Sequence, residues 1–586
     1  MATASRKAVR SRRDAESWEI WADHLVLRQR PLAIVALLPG KCWPPAWSTP
    51  TPAGHSAEPA LLTAIERSSS NRRMPGTDME ALLRQWLDSA APAIGQSPSP
   101  ADMNLRALQA IAWCHALPKL ANAISSTSWW DLFEELLRLA GNTPPTVLKR
   151  DPLMHQLLAG ELRLTLAYLL PEMPSCRKLS APARRALSAG LTSLLHGEGV
   201  LPAQYLDLLG PLLACWTRAA ALGQQIDGGC FTEAARQQYD RFVRNALRLR
   251  RADGMPAFSH ASATRSMDEL FAAALRLGGD DPNRRIAAAM QKPAPGKTKK
   301  SSRAAALPGA PLHLESAAMA VLRPNWSKSR EWLAVAYPDQ SLRVELNVGA
   351  TVVCSGCWEF EIQRDGRPAQ PAGKWEEVCW VSDDEGCYLE LELRLGEGLR
   401  LQRQFLLAAK DRFLYLGDAI LGRRRGKLTY RSCLPLARDI AWRGQKESRE
   451  GFLQGPNCRV LGLPLALPEW RAETGRGDLQ STSRGLELCQ AGEGTSMLAP
   501  LFFDFDPRRN ARPLTWRQLT VAENRAVARS DAAAGYRVMI GGRQWLIYRA
   551  LARKANRTLL GHNLSSETMI GRFTEKGKVE PVVEIE

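Results

Sequence analysis

The chain has 586 residues, 45% of them hydrophobic and 24% charged, with 18 tryptophans, 12 cysteines and a formal net charge of +18. That length implies two or three domains with large cores, and the cysteine density is too low for a disulfide-built scaffold. No run approaches the roughly 20 apolar residues of a membrane-spanning helix, so no span is expected, and the basic balance favours anionic partners: acidic polysaccharide, nucleic acid or anionic lipid.

Part of the charge is local. Met1–Arg13 carries Arg6, Lys7, Arg10, Arg12 and Arg13 without an acid, and Gln291–Arg303 carries Lys292, Lys297, Lys299, Lys300 and Arg303 without one. Both segments read as solvated tails or linkers, and the first 13 residues are expected to be disordered. Residues 1–100 form a basic, partly disordered N-terminal region. Within it Ser17–Trp47 holds aromatic and apolar clusters, Ser48–Arg73 reads as linker, and Asp78–Ala90 predicts a short amphipathic helix. The run Leu32–Leu38 begins too far from Met1 for a secretory leader, so a buried strand or short helix is expected there. The expected location is the cytoplasm, with the periplasm or secretion as the alternative if that run serves as a leader.

Residues 101–290 read as a helical domain. Helical spacing of apolar residues marks Asn104–Ala116, Trp129–Ala140, Ala181–His196, Pro202–Leu222, Thr232–Arg250 and Ser266–Leu277. Asp151-Pro152 is an N-cap followed by proline at the first helical position, and it opens Leu153–Leu170, a helix apolar nearly all round. Residues 291–312, rich in Lys, Ala, Pro and Ser, form the linker.

From residue 313 to 586 the period changes to two. Thr351–Gln363, Trp375–Val381, Cys387–Leu395, Leu399–Leu407, Arg412–Leu416 and Ile540–Ala550 read as strands, separated by turns such as Arg364-Asp365-Gly366. The fold class is α+β and multidomain: an N-terminal helical, α/α toroid-like domain followed by an antiparallel β-sandwich.

Several clusters carry candidate chemistry. On the Thr232–Arg250 helix, Ala235, Tyr239, Phe242, Ala246 and Leu249 form an apolar seam beside a stripe of Arg241, Arg244, Arg248 and Arg251. The stripe reads either as a polyanion surface or as a solvated face, and Tyr239 reads as a core tyrosine or a functional one. On Leu153–Leu170, Glu161, Thr165 and Tyr168 form a polar line that faces either a cavity or a neighbouring helix. His155 lies near the start of that helix, as a packed residue or a base. Cys354, Cys357, Cys379 and Cys387 lack the tight knuckle spacing of structural zinc, and no phosphate-binding loop, HExxH, GxSxG or dinucleotide fingerprint occurs. No metal and no cofactor is expected.

Three stretches resemble the heparinase II/III-like polysaccharide lyases. Ser316–Trp326 (SAAMAVLRPNW) resembles the strand that opens that group's β-domain. Tyr388–Ile420, with LQRQFLLAAKDRFLYLGDAI, resembles its central strands. Asp227-Gly228-Gly229 through Glu233 and Tyr239 resembles a turn and helix of its toroid. The resemblance implies β-elimination on a uronic-acid polysaccharide or oligosaccharide. Tyr239 would then be the acid or base, His155 or His260 the base, and Arg241 or Arg244 the partner of the sugar carboxylate. Asp227, Glu233, Glu161 and Tyr168 would complete a substrate surface. The chain departs from the family pattern: Leu333–Val353 contains no histidine, the β half has only His313 and His562, and no toroid asparagine-histidine pair is evident. The alternative is therefore a non-catalytic acidic-glycan-binding or scaffold protein that has lost lyase residues. Nucleic-acid binding has the least support, because no known module is readable.

Overall fold

The computed structural model describes residues 15–47, 61, 64–65, 76–89, 99–259, 265–291, 307–472 and 477–586. The first 13 residues, most of the Ser48–Arg73 stretch, the lysine-rich residues 292–306 and His260 lie outside the described residues. The chain divides into two units. One comprises Met1–Leu201, Tyr205–Leu247 and Gly254–Arg285; the other comprises Pro202–Gln204, Arg248–Asp253 and Ile286–Glu586.

The first unit is helical. Ser99 and Asp102 form a capping box at the start of Pro100–Leu120, the side chain of each accepting from the backbone N–H of the other. Ser125 caps Ser126–Gly141, and the Asp151 side chain accepts from Met154 N at 3.0 Å with Pro152 at the first helical position. Ser180–Leu194, Leu209–Gly223, Glu233–Arg248, Arg265–Gly278 and Asp281–Gln291 follow. Within the N-terminal region, Ala15–Leu32, Ile34–Leu37 and Gly76–Asp88 are also helical.

The expected uniform helix over Leu153–Leu170 is instead three pieces: α over Pro152–His155, π over Gln156–Leu162, and α over Arg163–Leu169. All seven π residues are buried. The wider turn shifts side chains by one position and brings Gln156 into a fixed polar grip. Its Nε2 donates to Ala186 O at 3.1 Å, and its Oε1 accepts from Trp216 Nε1 at 2.9 Å. Gly190 permits the close approach, since a Cβ there would overlap the Gln156 amide.

The second unit is antiparallel. Leu312–Leu314, Met319–Leu322, Trp332–Ala336, Arg343–Val348 and Thr351–Cys357 form a five-stranded meander in chain order. An eight-stranded sheet runs in the order Ala441–Gly444, Gly451–Gly455, Cys458–Pro464, Met497–Asp504, Phe413–Leu421, Arg400–Ala408, Gly386–Arg394, Glu376–Ser382. It is covered on both faces. Leu414, Leu416 and Ile420 enter a core shared with the meander, whereas Phe413, Tyr415 and Ala419 enter one shared with Ala533–Ile540, Arg543–Ala550 and Thr568–Phe573. Double coverage explains why Phe413–Leu421 is buried at every position rather than at alternate ones.

Two expected strands are corrected. Thr351–Gln363 is two strands, Thr351–Cys357 and Glu359–Arg364, in different sheets. The break falls at Trp358, whose ring turns in to cover the buried Arg403 guanidinium at 3.7 Å. Ile540–Ala550 contains the turn of a hairpin between Ala533–Ile540 and Arg543–Ala550, with Gly541 at φ 58°. The Arg364-Asp365-Gly366 turn is as expected. Asp365 and Gly366 both have positive φ (52° and 76°), which suits the twist of the two flanking strands.

Candidate functional site

The sequence candidates in the helical unit separate into interior and surface groups. Glu161 has no exposed surface and receives Arg218 Nε at 2.6 Å and Nη2 at 2.9 Å. Arg218 also donates to Pro44 O at 3.2 Å. Thr165 bonds back to Glu161 O at 2.8 Å, the ordinary route for a buried helical threonine. Tyr168 is buried. The polar line on this helix thus faces a neighbouring helix, Leu209–Gly223, at the Glu161 position.

Tyr239 sits in the apolar seam with no exposed surface, and its hydroxyl lies 2.8 Å from Thr217 Oγ1. Burial pushes the phenol well up from its ordinary value. His155 is also buried, with Nδ1 3.1 Å from Gln156 Nε2; burial and then Arg163 push its imidazole down, which keeps it neutral. Each of these groups meets a structural partner from its own unit.

Asp227 and Glu233 are exposed. Gly228 and Gly229 at φ 79° and 69° turn the chain tightly, closed by Gly229 N to Ile226 O at 2.9 Å, and this presents Asp227 to solvent. Glu233 lies in the first turn of its helix, where its charge complements the helix dipole. Arg241 is half-buried. Arg244 is engaged with Asp280 at 2.5 Å and Asn283 at 2.9 Å.

The arginine stripe is not a solvated face along its length. Arg248 donates to Gly309 O at 2.8 Å, and Arg251 pairs with the buried Glu345, its Nε 2.8 Å from Oε1. Neighbouring Asp240 is held with its carboxyl pushed up to about 6 by burial, with Asp280 and Glu233 adding to the effect and Arg236 opposing it.

In the sheet unit, His313 occupies a cluster that residue spacing did not reveal. Its Nε2 is 2.9 Å from the Tyr337 hydroxyl and 3.5 Å from Glu377, and its ring stacks on Trp380 at 5.2 Å. Burial lowers the imidazole to about 4, so it is uncharged at neutral pH. The strands bring together residues 24 and 64 positions apart in sequence, a juxtaposition that needs the sheet register to be known. Among the described residues, no group of three His, Cys, Asp or Glu side chains is placed to hold a metal ion. No helix there is long and apolar enough to cross a membrane.

The arrangement of a helical toroid followed by an antiparallel β-sandwich is that of polysaccharide lyases of known structure. A heparan sulfate lyase (HepC mutant) from Pedobacter heparinus aligns with a TM-score of 0.56 at 11% identity, over 92% of this chain and 95% of that one. A heparinase III aligns at 0.55 and 10% identity, over 84% and 82%, and a further heparinase III gene product at 0.55 and 10%, over 94% and 97%. At these identities the likeness establishes the fold. No protein-family model matches the sequence, and no curated protein matches it.

Proposed function

We propose that this protein engages uronic-acid-containing polysaccharides as a binding or scaffold member built on the lyase fold. The observation that carries the reading is the fold shared along nearly the whole length with a heparan sulfate lyase. Binding rather than β-elimination is favoured by the interior position of Tyr239 and His155. A general acid or base must reach the proton it transfers, and of the described acid-base candidates Tyr239 has no exposed surface and His155 is buried. Among the described sequence candidates, Asp227 and Glu233 are exposed and Arg241 is half-buried, suited to sugar hydroxyls and to a carboxylate. Tyr239, His155, Glu161 and Tyr168 support the helices beneath, and Arg244 holds the Asp280 segment.

The second reading is β-elimination itself, favoured by the same shared fold. One experiment separates the two. The full chain is incubated with a panel of uronic-acid polysaccharides, with binding followed by calorimetry and unsaturated product by ultraviolet absorbance. Binding without absorbance is expected. Growing absorbance favours elimination, and absence of both overturns the glycan assignment.

A further inference from the structure

A second feature of the sheet unit is independent of the candidate residues of the helical unit. A pocket of about 930 Å³ collects the ends of strands Gly386–Arg394, Phe413–Leu421 and Arg543–Ala550, the loops that follow them, and the start of Arg400–Ala408. Its rim carries Arg394, Arg400, Arg423, Arg553 and Lys554 against two acids. Both acids are already committed. Glu392 takes Arg400 at 3.0 Å and Gln402 Nε2 at 2.9 Å, and Glu567 takes the buried Arg549 at 2.9 Å. Arg394, Arg423, Arg553 and Lys554 are exposed, and no ion pair to a carboxylate joins any of them among the described residues.

A further cation lies behind Gly422. Arg364 is 1% exposed; its Nη1 donates to Glu397 O at 2.7 Å, while Nε and Nη2 have no hydrogen-bond partner. A Cβ on Gly422, a residue of the pocket, would collide with that Nη2 and with the side chain of Leu399, also of the pocket. Burial and then the charge of Arg424 push the Arg364 guanidinium down, against the opposing pull of Asp365 and Glu397. Like charges gathered in a concave, partly desolvated surface raise the local concentration of anions.

We propose that this pocket binds a sulfated or carboxylated sugar unit, held by Arg394, Arg423, Arg553 and Lys554. The proposal rests on the acidic-glycan function above and supplies its anion site. A nucleic-acid strand is disfavoured, because no aromatic side chain lines the pocket to stack a base. The apolar walls are Leu395, Leu399, Leu421 and Leu551, which suit the C–H faces of a sugar ring.

The test uses the full chain and a size-defined heparin oligosaccharide, with affinity measured by calorimetry at two salt concentrations. The double variant Arg423→Glu, Lys554→Glu is compared with Arg525→Glu, an exposed cation outside the pocket. The double variant is expected to bind about tenfold more weakly or worse, with a shallower salt dependence, whereas Arg525→Glu stays within about twofold of the parent. Unchanged urea midpoints for both show that the fold is intact. Equal affinity of the double variant and the parent overturns the pocket assignment and leaves the glycan function standing. A parent that binds no acidic glycan overturns both. Single-stranded DNA that binds as tightly, with the same loss in the double variant, replaces the sugar by a generic polyanion and also overturns it.

Discussion

Arg218 holds Glu161 by two parallel hydrogen bonds, at 2.6 Å and 2.9 Å, between side chains that have no exposed surface. The pair links the π-helical stretch Gln156–Leu162 to Leu209–Gly223, and through Arg218 to the carbonyl of Pro44. Removing one partner strands a buried charge. Glu161→Ala is expected to cost about 3–5 kcal/mol in urea unfolding. A Glu161→Leu, Arg218→Met double variant should cost less than the two single changes added together. Additive losses would show that the two groups do not act as a pair.

Tyr239→Phe removes one hydroxyl from a contact with Thr217 and leaves the packed ring in place. The expected loss is about 1 kcal/mol, with glycan affinity unchanged. A fall in affinity or the loss of an elimination activity, at nearly parental stability, would return Tyr239 to a role at the substrate.

Asp240 gives a pH signature. Its carboxyl is raised from 3.8 to about 6 in the folded chain. Between those values the folded state holds a proton that the unfolded state has released, so this group's contribution to stability falls as pH rises through the window and stays low above it. Asp240→Asn should therefore gain about 1–2 kcal/mol near neutral pH and almost nothing at about pH 4. Denaturation at the two pH values reads the difference; an equal gain at both would mean that Asp240 titrates normally.

Arg403 is the corresponding anchor in the sheet unit. It reaches Asp418 at 2.8 Å and 2.7 Å and Trp358 O at 3.0 Å, and its guanidinium lies 3.7 Å over the Trp358 ring. Tyr430 donates to the same carboxylate at 2.5 Å. Lysine keeps the charge and loses the planar fork and the stacking. Arg403→Lys is expected to destabilise by about 2–4 kcal/mol and to lower the thermal midpoint. A change below about 0.5 kcal/mol would show that the charge alone suffices.

The order of classes, helices before strands, was legible in the sequence because apolar spacing and turn residues act locally. Asp151-Pro152 capped its helix as its chemistry requires, and Asp365-Gly366 turned its hairpin. Where the buried charges go depends on the assembled fold. Glu161 and Arg218 lie 57 positions apart, and Arg403 and Asp418 meet across adjacent strands. The arginine stripe looked like surface because its acceptors, Asp280, Gly309 and Glu345, belong to segments far along the chain. The split at Trp358 and the π turn at Gln156 were equally hidden, since each is fixed by packing against distant residues. Local spacing selects helix or strand; the low dielectric of the interior selects the partner of each charge, and that choice depends on the assembled fold.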